Sequence, residues 1–136
     1  MNLTAEASAE YSLFLDIDNF KLINDTHGHE IGDRVLKMVS RTLNASSRYI
    51  DTVGRFGGEE FIVVITNAKD NAFYNTGERL RNLVANSALD EPKAISVTVS
   101  IGGAEAVYDD TVESLLARAD EKLYKAKHSG KNCICI

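Results

Sequence analysis

Asp16 and Asp18 stand two residues apart at the end of the apolar run Leu13-Phe14-Leu15. Alternation along a strand points both carboxylates to one face. Carboxylates do not belong in a core unless paired or bound to a cation. Taken alone, the pair reads first as a polar strand terminus, with Asp18 capping the next segment. A second acidic pair, Glu59-Glu60, follows Gly57-Gly58 and leads into Phe61-Ile62-Val63-Val64-Ile65. Two glycines between strand-like runs indicate a tight hairpin, and alternation sends the two glutamates to opposite faces. If that hairpin lies beside the first strand, one glutamate reaches Asp16. Two hard carboxylates with a few waters and phosphate oxygens make a magnesium site. Such a cation offsets the charge of a triphosphate and can activate an attacking hydroxyl. The alternative is an exposed hairpin with solvated glutamates.

Lys127 and Lys131 lie at the end of the last predicted helix and just past it, near Lys122 and Lys125. They complement the helix C-terminal dipole, or they form a pair of phosphate-binding cations, and the sequence leaves both open. His27 and His29 have no further ligands at metal spacing and read as loop residues. Cys133 and Cys135, one residue apart, fit neither a zinc knuckle nor a redox motif. They read as small residues of a final strand in a reducing, cytoplasmic setting.

The elements that must position these groups follow from periodicity. Tyr11 to Asp18 reads as a buried strand, and Asn24 to His29 as a polar turn. Ile31, Val35, Leu36, Val39 and Leu43 mark a helix to about Ala45. Asp51 to Phe56 and Glu59 to Ile65 form the hairpin. Phe73, Gly77, Leu80 and Val84 mark a second helix. Ile95 to Ile101 alternates as one half-buried strand. Asp110 and Glu113 fit a capping box for a helix to about His128, closed by Gly130. Asn132 to Ile136 is a last short strand. The order β-α-β-β-α-β-α-β, with room for a short helix after the first strand, predicts an α+β domain. Its mixed, mostly antiparallel sheet is covered by helices in a ferredoxin-like plan.

The chain has 136 residues, enough for one domain with one core. Its net charge of -5 does not invite nucleic acid, so an anionic ligand must rely on local cations, helix N-termini or a metal. No apolar run spans a bilayer, and Met1 to Glu10 lacks a signal pattern. A cytoplasmic domain without nucleic-acid contact, and without membrane contact by this segment, is expected, within a full-length protein that could be membrane-anchored.

Gly57-Gly58-Glu59-Glu60-Phe61 resembles the signature of the GGDEF family of diguanylate cyclases, in its GGEEF variant. The resemblance continues in order and spacing from about Tyr11. It includes Asp16 to Asp25, Gly28-His29, Gly32-Asp33 and Val97 to Gly102. It ends with Ala119-Asp120, Leu123-Tyr124, Ala126-Lys127 and Gly130-Lys131-Asn132.

The resemblance implies a nucleotidyl-cyclase-like fold and a magnesium-dependent enzyme, with Mn²⁺ able to substitute. It would condense two GTP into cyclic di-GMP and two pyrophosphates as a homodimer, one GTP per subunit. Asp16, Glu59 and the Ile17 carbonyl resemble the metal ligands, and Glu60 the group that helps activate the ribose 3′-hydroxyl. Asn24 and Asp33 resemble the guanine-binding pair, a role that suits a carboxylate facing N–H donors. Phe20 and Leu36 would line the base pocket. Lys127, Lys131 and the backbone at Phe20-Lys21 would hold phosphates, and Gly57-Gly58 would admit the nucleotide. Arg48 and Asp51 fit the family's inhibitory Arg-x-x-Asp motif for cyclic di-GMP, with Arg79 a secondary contact.

Three departures stand out. The usual Leu-Thr-Gly-Leu-x-Asn-Arg segment is absent, Leu3-Thr4 being at most a fragment. Lys131 replaces the usual arginine and forgoes bidentate phosphate binding. No sensory or dimerising domain is present, so residues 1–136 read as one domain of a longer multidomain protein. The rival readings are an inactive cyclic di-GMP receptor, a cyclase of altered base choice and a generic nucleotide-binding module. Intact Asp16, Glu59 and Glu60 oppose the first, and Asp33 opposes the second.

Overall fold

The structure, a computed structural model, describes residues 10–46, 52–66, 72–91 and 94–136. In chain order these form β1 (Tyr11–Ile17), α1 (Phe20–His27), α2 (His29–Ser46), β2 (Thr52–Gly57), β3 (Glu60–Ile65), α3 (Ala72–Ala85), β4 (Ala88–Leu89), β5 (Ile95–Ser96), β6 (Val99–Glu105), α4 (Val112–His128) and β7 (Ile134–Cys135).

Every residue of β1 is buried. Tyr11, Leu13, Leu15 and Ile17 enter one apolar cluster, while Phe14 enters another. A strand buried on both faces must be central and covered on both sides. The sheet order is β2-β3-β1-β6-β7, antiparallel throughout except for the parallel β6–β7 pair. This is the mixed, mostly antiparallel α+β sheet expected. The larger cluster joins β1, β3 and β6 to Val35, Val39 and Leu43 of α2 and Leu80 and Val84 of α3. The smaller one packs Leu115, Ala119 and Leu123 of α4 on Phe14 and Ala104.

The structure corrects several boundaries. The stretch expected as a polar turn is largely helical: α1 runs to His27, and one residue, Gly28 at φ 92°, separates it from α2. α1 is short, and Phe20 is its only buried residue. Ile95 to Ile101 is not one strand. It divides into β5, which pairs with β4, and β6, which joins the main sheet. The cap of α4 is Thr111, with Ser114 completing the capping box, rather than Asp110 with Glu113. Asp110 instead accepts from Arg118 at 2.5 Å and from the Val107 amide at 2.7 Å. The Arg118 guanidinium holds this carboxyl well below the usual carboxylate range. Arg118 also donates to the Glu105 carbonyl at 2.7 Å, so the loop between β6 and α4 is closed at both ends.

No helix among the described residues is long and apolar enough to cross a membrane.

Candidate active site

The hairpin does lie beside β1, and the register sets Asp16 directly opposite Glu60. Asp16 shares the face of Phe14, the side covered by α4. From the last turn of α4, Lys127 reaches down and its ammonium pairs with Asp16 Oδ2. Asp16 is 4% exposed, so this carboxylate is held within the protein rather than in solvent.

Glu59 lies in the turn rather than on the strand, so strand alternation does not govern the glutamate pair. The hairpin closes with Gly57 opposite Glu60, which leaves Gly58 and Glu59 as its turn. The turn is tied down twice. The Ile17 amide donates to the Glu59 carbonyl at 3.2 Å. Arg55 donates to the Gly58 carbonyl through Nε at 3.0 Å and Nη2 at 2.7 Å. Gly57 and Gly58 are exposed, with no atom within 4 Å of where a Cβ would stand.

All three carboxylates are pushed above their ordinary pKa. Burial is the main cause for Asp16, and Lys127 opposes it. Burial and then the Asp16 charge raise Glu59 and Glu60. Burial alone would lower Lys127, but the bond to Asp16 and the charges of Glu60 and Glu59 outweigh it and raise its pKa. The site is thus short of positive charge.

A hard divalent cation fits this donor set. Among the described residues no three His, Cys, Asp or Glu side chains form a ready-made cage. Magnesium does not require one, since it is usually held by one or two carboxylates plus waters and substrate phosphates. Asp16, Glu59 and the Ile17 carbonyl are the groups that the family resemblance would assign to it.

Beside this cluster, Phe20 and Leu36 are buried at the junction of α1 and α2. The Asn24 Oδ1 is buried there with no hydrogen-bond partner in the protein. A buried carbonyl oxygen without a protein donor calls for a partner from outside the chain, a water or a ligand. Gly32 makes room for it: a Cβ on residue 32 would stand 1.8 Å from Asn24 Oδ1 and 3.3 Å from the Phe20 ring. Asp33 and Leu36 border a cleft of about 340 Å³ shared with Lys37, Ser40, Arg55 and Phe61. Asn19, at the start of α1, makes no capping bond; its side chain accepts from Lys131 Nζ at 2.8 Å. The first turn of α1, which includes Lys21, has no side-chain cap from that residue.

A family model described as "Diguanylate cyclase, GGDEF domain" matches residues 2–133. The chain belongs to the GGDEF family. It is 40% identical over 134 residues to diguanylate cyclase DgcZ of Escherichia coli, covering 97% of this chain and 45% of that protein. It is 43% identical over 127 residues to response regulator PleD of Caulobacter vibrioides, covering 90% of this chain and 28% of that one. The chain therefore spans less than half the length of these curated relatives. Among solved structures, the active GGEEF domain of a Vibrio cholerae diguanylate cyclase superposes with a TM-score of 0.86 at 33% identity, covering 95% of this chain and 83% of that one. The GGDEF domain of DgcB from Caulobacter crescentus, solved with c-di-GMP, gives 0.89 at 31% identity, with 94% and 77% coverage.

In this GGDEF domain the sequence-predicted residues fall into three groups. Asp16, Ile17, Glu59, Glu60, Gly57, Gly58 and Lys127 meet at one end of the sheet. Asn24, Asp33, Phe20 and Leu36 lie on α1 and α2, with Lys131 reaching the start of α1. Of the inhibitory motif, Arg48 and Asp51 lie outside the described residues, and Arg79 is exposed on α3. Asp18 does not cap α1, as its carboxylate is engaged by Thr98, Ser100 and the Asn132 amide. Two contributors escaped the sequence reading. Arg55 has no signal beyond its place before the glycines. Asp120, whose charge raises Asp16 and Glu60, stands seven residues before Lys127, and that two-turn spacing could have revealed it.

Gly32→Ala is expected to fold, because the new methyl meets the movable end of the Asn24 side chain. It should displace that carboxamide and, if Asn24 takes a guanine edge as the family resemblance implies, weaken guanine-nucleotide binding about tenfold, the cost of one buried hydrogen bond. Titration calorimetry should show the same loss for Asn24→Ala and no further loss in the double variant.

Proposed function

We propose that this domain is a diguanylate cyclase catalytic domain that condenses two GTP into cyclic di-GMP and two pyrophosphates. The observation that carries the proposal is the meeting of Asp16, Glu60 and Lys127 beside a glycine turn whose outer face is open. Neither Gly57 nor Gly58 has positive φ or a protein neighbour at its Cβ position. The fold itself therefore does not demand glycine there, which supports a close approach by ligand.

Each ribose 3′-oxygen attacks the α-phosphorus of the other GTP, the bond to the bridging oxygen breaks, and pyrophosphate leaves. Glu60, with its pKa moved towards neutrality, is placed to take the hydroxyl proton. Lys127 offers its ammonium to the phosphates, and Lys131 does so from the start of α1. Asn24 and Asp33 take the guanine edge against Phe20 and Leu36. Bound Mg²⁺, or Mn²⁺ in its place, supplies charge neutralisation at the triphosphate and makes the hydroxyl more acidic.

Because one domain offers one such site, two copies must face each other, each with one GTP. Catalysis is then mostly positioning and charge stabilisation. Cyclic di-GMP bound at Arg48 and Asp51, with Arg79, would restrain the enzyme.

The test is to incubate the domain with GTP and Mg²⁺ at rising protein concentration and to separate the products chromatographically. Cyclic di-GMP and pyrophosphate should appear together, rise more steeply than protein concentration, and vanish with EDTA. No product at any concentration, with cyclic di-GMP still binding through Arg48, would leave a receptor in place of an enzyme.

A further inference from the structure

Asp18 is buried, 6% exposed, and it makes no contact with the acidic cluster's lysine. Its carboxylate collects three donors from distant parts of the chain. Ser100 Oγ donates to Oδ1 at 2.6 Å, Thr98 Oγ1 to Oδ2 at 2.6 Å, and the Asn132 amide to Oδ2 at 3.0 Å. Its own amide donates to the Thr98 carbonyl at 2.9 Å. A buried carboxylate with every donor charge-assisted is a strong anchor.

The third donor sits in an unusual piece of backbone. After α4 the chain passes through Gly130 at φ 115°, Lys131 at φ 63° and Asn132 at φ 46°. Left-handed backbone is costly for a non-glycine residue and persists where the surroundings impose it. The Lys131 amide is held by the Ala126 carbonyl at 3.2 Å, and Asp18 fixes the next residue at the Asn132 amide, with Arg81 donating to Asn132 Oδ1 at 2.8 Å. The same turn points Lys131 back across the sheet end, so that its ammonium reaches Asn19, the neighbour of Asp18.

We propose that Asp18 is a positioning residue: its buried carboxylate braces the left-handed turn that carries Lys131 and so fixes the phosphate-binding ammonium relative to the Asp16 end of β1. This rests on the reading of Lys131 as a phosphate contact for GTP. A residue that merely stabilised the fold would satisfy the same three donors. The distinction lies in coupling: if Asp18 acts through Lys131, removing either should cost the same binding, and removing both should cost no more.

The test measures α-thio GTP affinity by titration calorimetry for wild type, Asp18→Ala, Lys131→Ala and the double variant. Asp18→Ala and Lys131→Ala should each weaken binding about tenfold, with the double variant no weaker than either. Asp18→Asn should bind like wild type. Its amide oxygen can accept from Thr98 and Asn132, while its NH₂ donates to a rotated Ser100 hydroxyl. Wild-type affinity in Asp18→Ala, or losses that multiply in the double variant, would overturn the proposal while leaving the GTP reading intact. Absence of binding by wild type would overturn both. Should Asp18→Ala fail to fold, Thr98→Val keeps the shape and removes one donor. It should weaken binding slightly in the wild-type background and not at all beside Lys131→Ala; an unchanged affinity in both backgrounds overturns the proposal.

Discussion

Glu60→Gln is expected to make cyclic di-GMP about a thousandfold more slowly, the usual scale for losing a general base, while melting higher than wild type in EDTA. The first half follows from position. Glu60 stands opposite Asp16 on the face that Lys127 covers, and glutamine keeps the shape but cannot take a proton. The second half follows from charge. Burial and the Asp16 carboxylate hold Glu60 above its ordinary pKa, so ionising it is harder in the folded domain than in the unfolded chain. A raised carboxyl favours folding fully below its unfolded pKa and loses that contribution as pH rises through the folded one. The melting gap between variant and wild type should therefore be small in acid and open as pH approaches neutrality. Thermal melts in EDTA across that range check the sign. Adding Mg²⁺ should raise wild type more than the variant, since a cation bound by the folded state relieves the same repulsion. A variant that melts lower than wild type at neutral pH would show that Glu60 contributes an attraction the acidic cluster needs.

Gly102→Ala should cost about 3 kcal/mol of stability, at the upper end of overpacking effects. A Cβ there would stand 2.1 Å from the Leu123 amide nitrogen, 2.2 Å from the Ala119 carbonyl oxygen and 2.6 Å from the Leu123 Cα. These are backbone atoms of one helix, so no rotamer change relieves them, and α4 as a whole must lift. Lys127 lies four residues past Leu123 on that helix, so turnover should fall along with stability. Gly103→Ala is the control. Its Cβ would meet the Phe73 ring at 2.5 Å and Ile136 Cγ2 at 2.9 Å, side-chain atoms that can shift further than a helix backbone even though the Phe73 ring is stacked on Tyr11. Urea titration should rank Gly102→Ala well below Gly103→Ala. Equal costs would mean that the α4 backbone yields as readily as a side chain.

Much of this was legible in the chain because the relevant signals are local. Alternation in β1 and β3 and the helical period of α2 and α4 each lie within one element. The acidic pairs and the glycines between them are contiguous, and their likeness to the GGDEF signature needed no structure. What escaped depends on partners far apart in sequence or on weak periodicity. α1 buries one residue, so the short helix allowed for after the first strand could not be given its bounds. Thr111 took the cap of α4 because Arg118, two turns on, claims Asp110. Glu59 lies off the strand because the hairpin closes at Gly57 and Glu60, a register that composition does not announce. Asp18 read as a cap because its three donors, at 98, 100 and 132, come together through β6 and the final turn.

The separation of those partners bears on how the molecule comes together in time. Lys127 lies 111 positions from Asp16, and Asn132 lies 114 from Asp18. Contacts of such long sequence separation require nearly the entire chain to be looped before they form, and the loop-closure entropy makes them late events. A folding intermediate holding the β2–β3 hairpin and α2 would have ordered structure and no reaction centre. Recovery of turnover during refolding should therefore lag behind recovery of helical circular dichroism, and catalysis becomes a stopwatch for the last docking of α4 and the tail behind it.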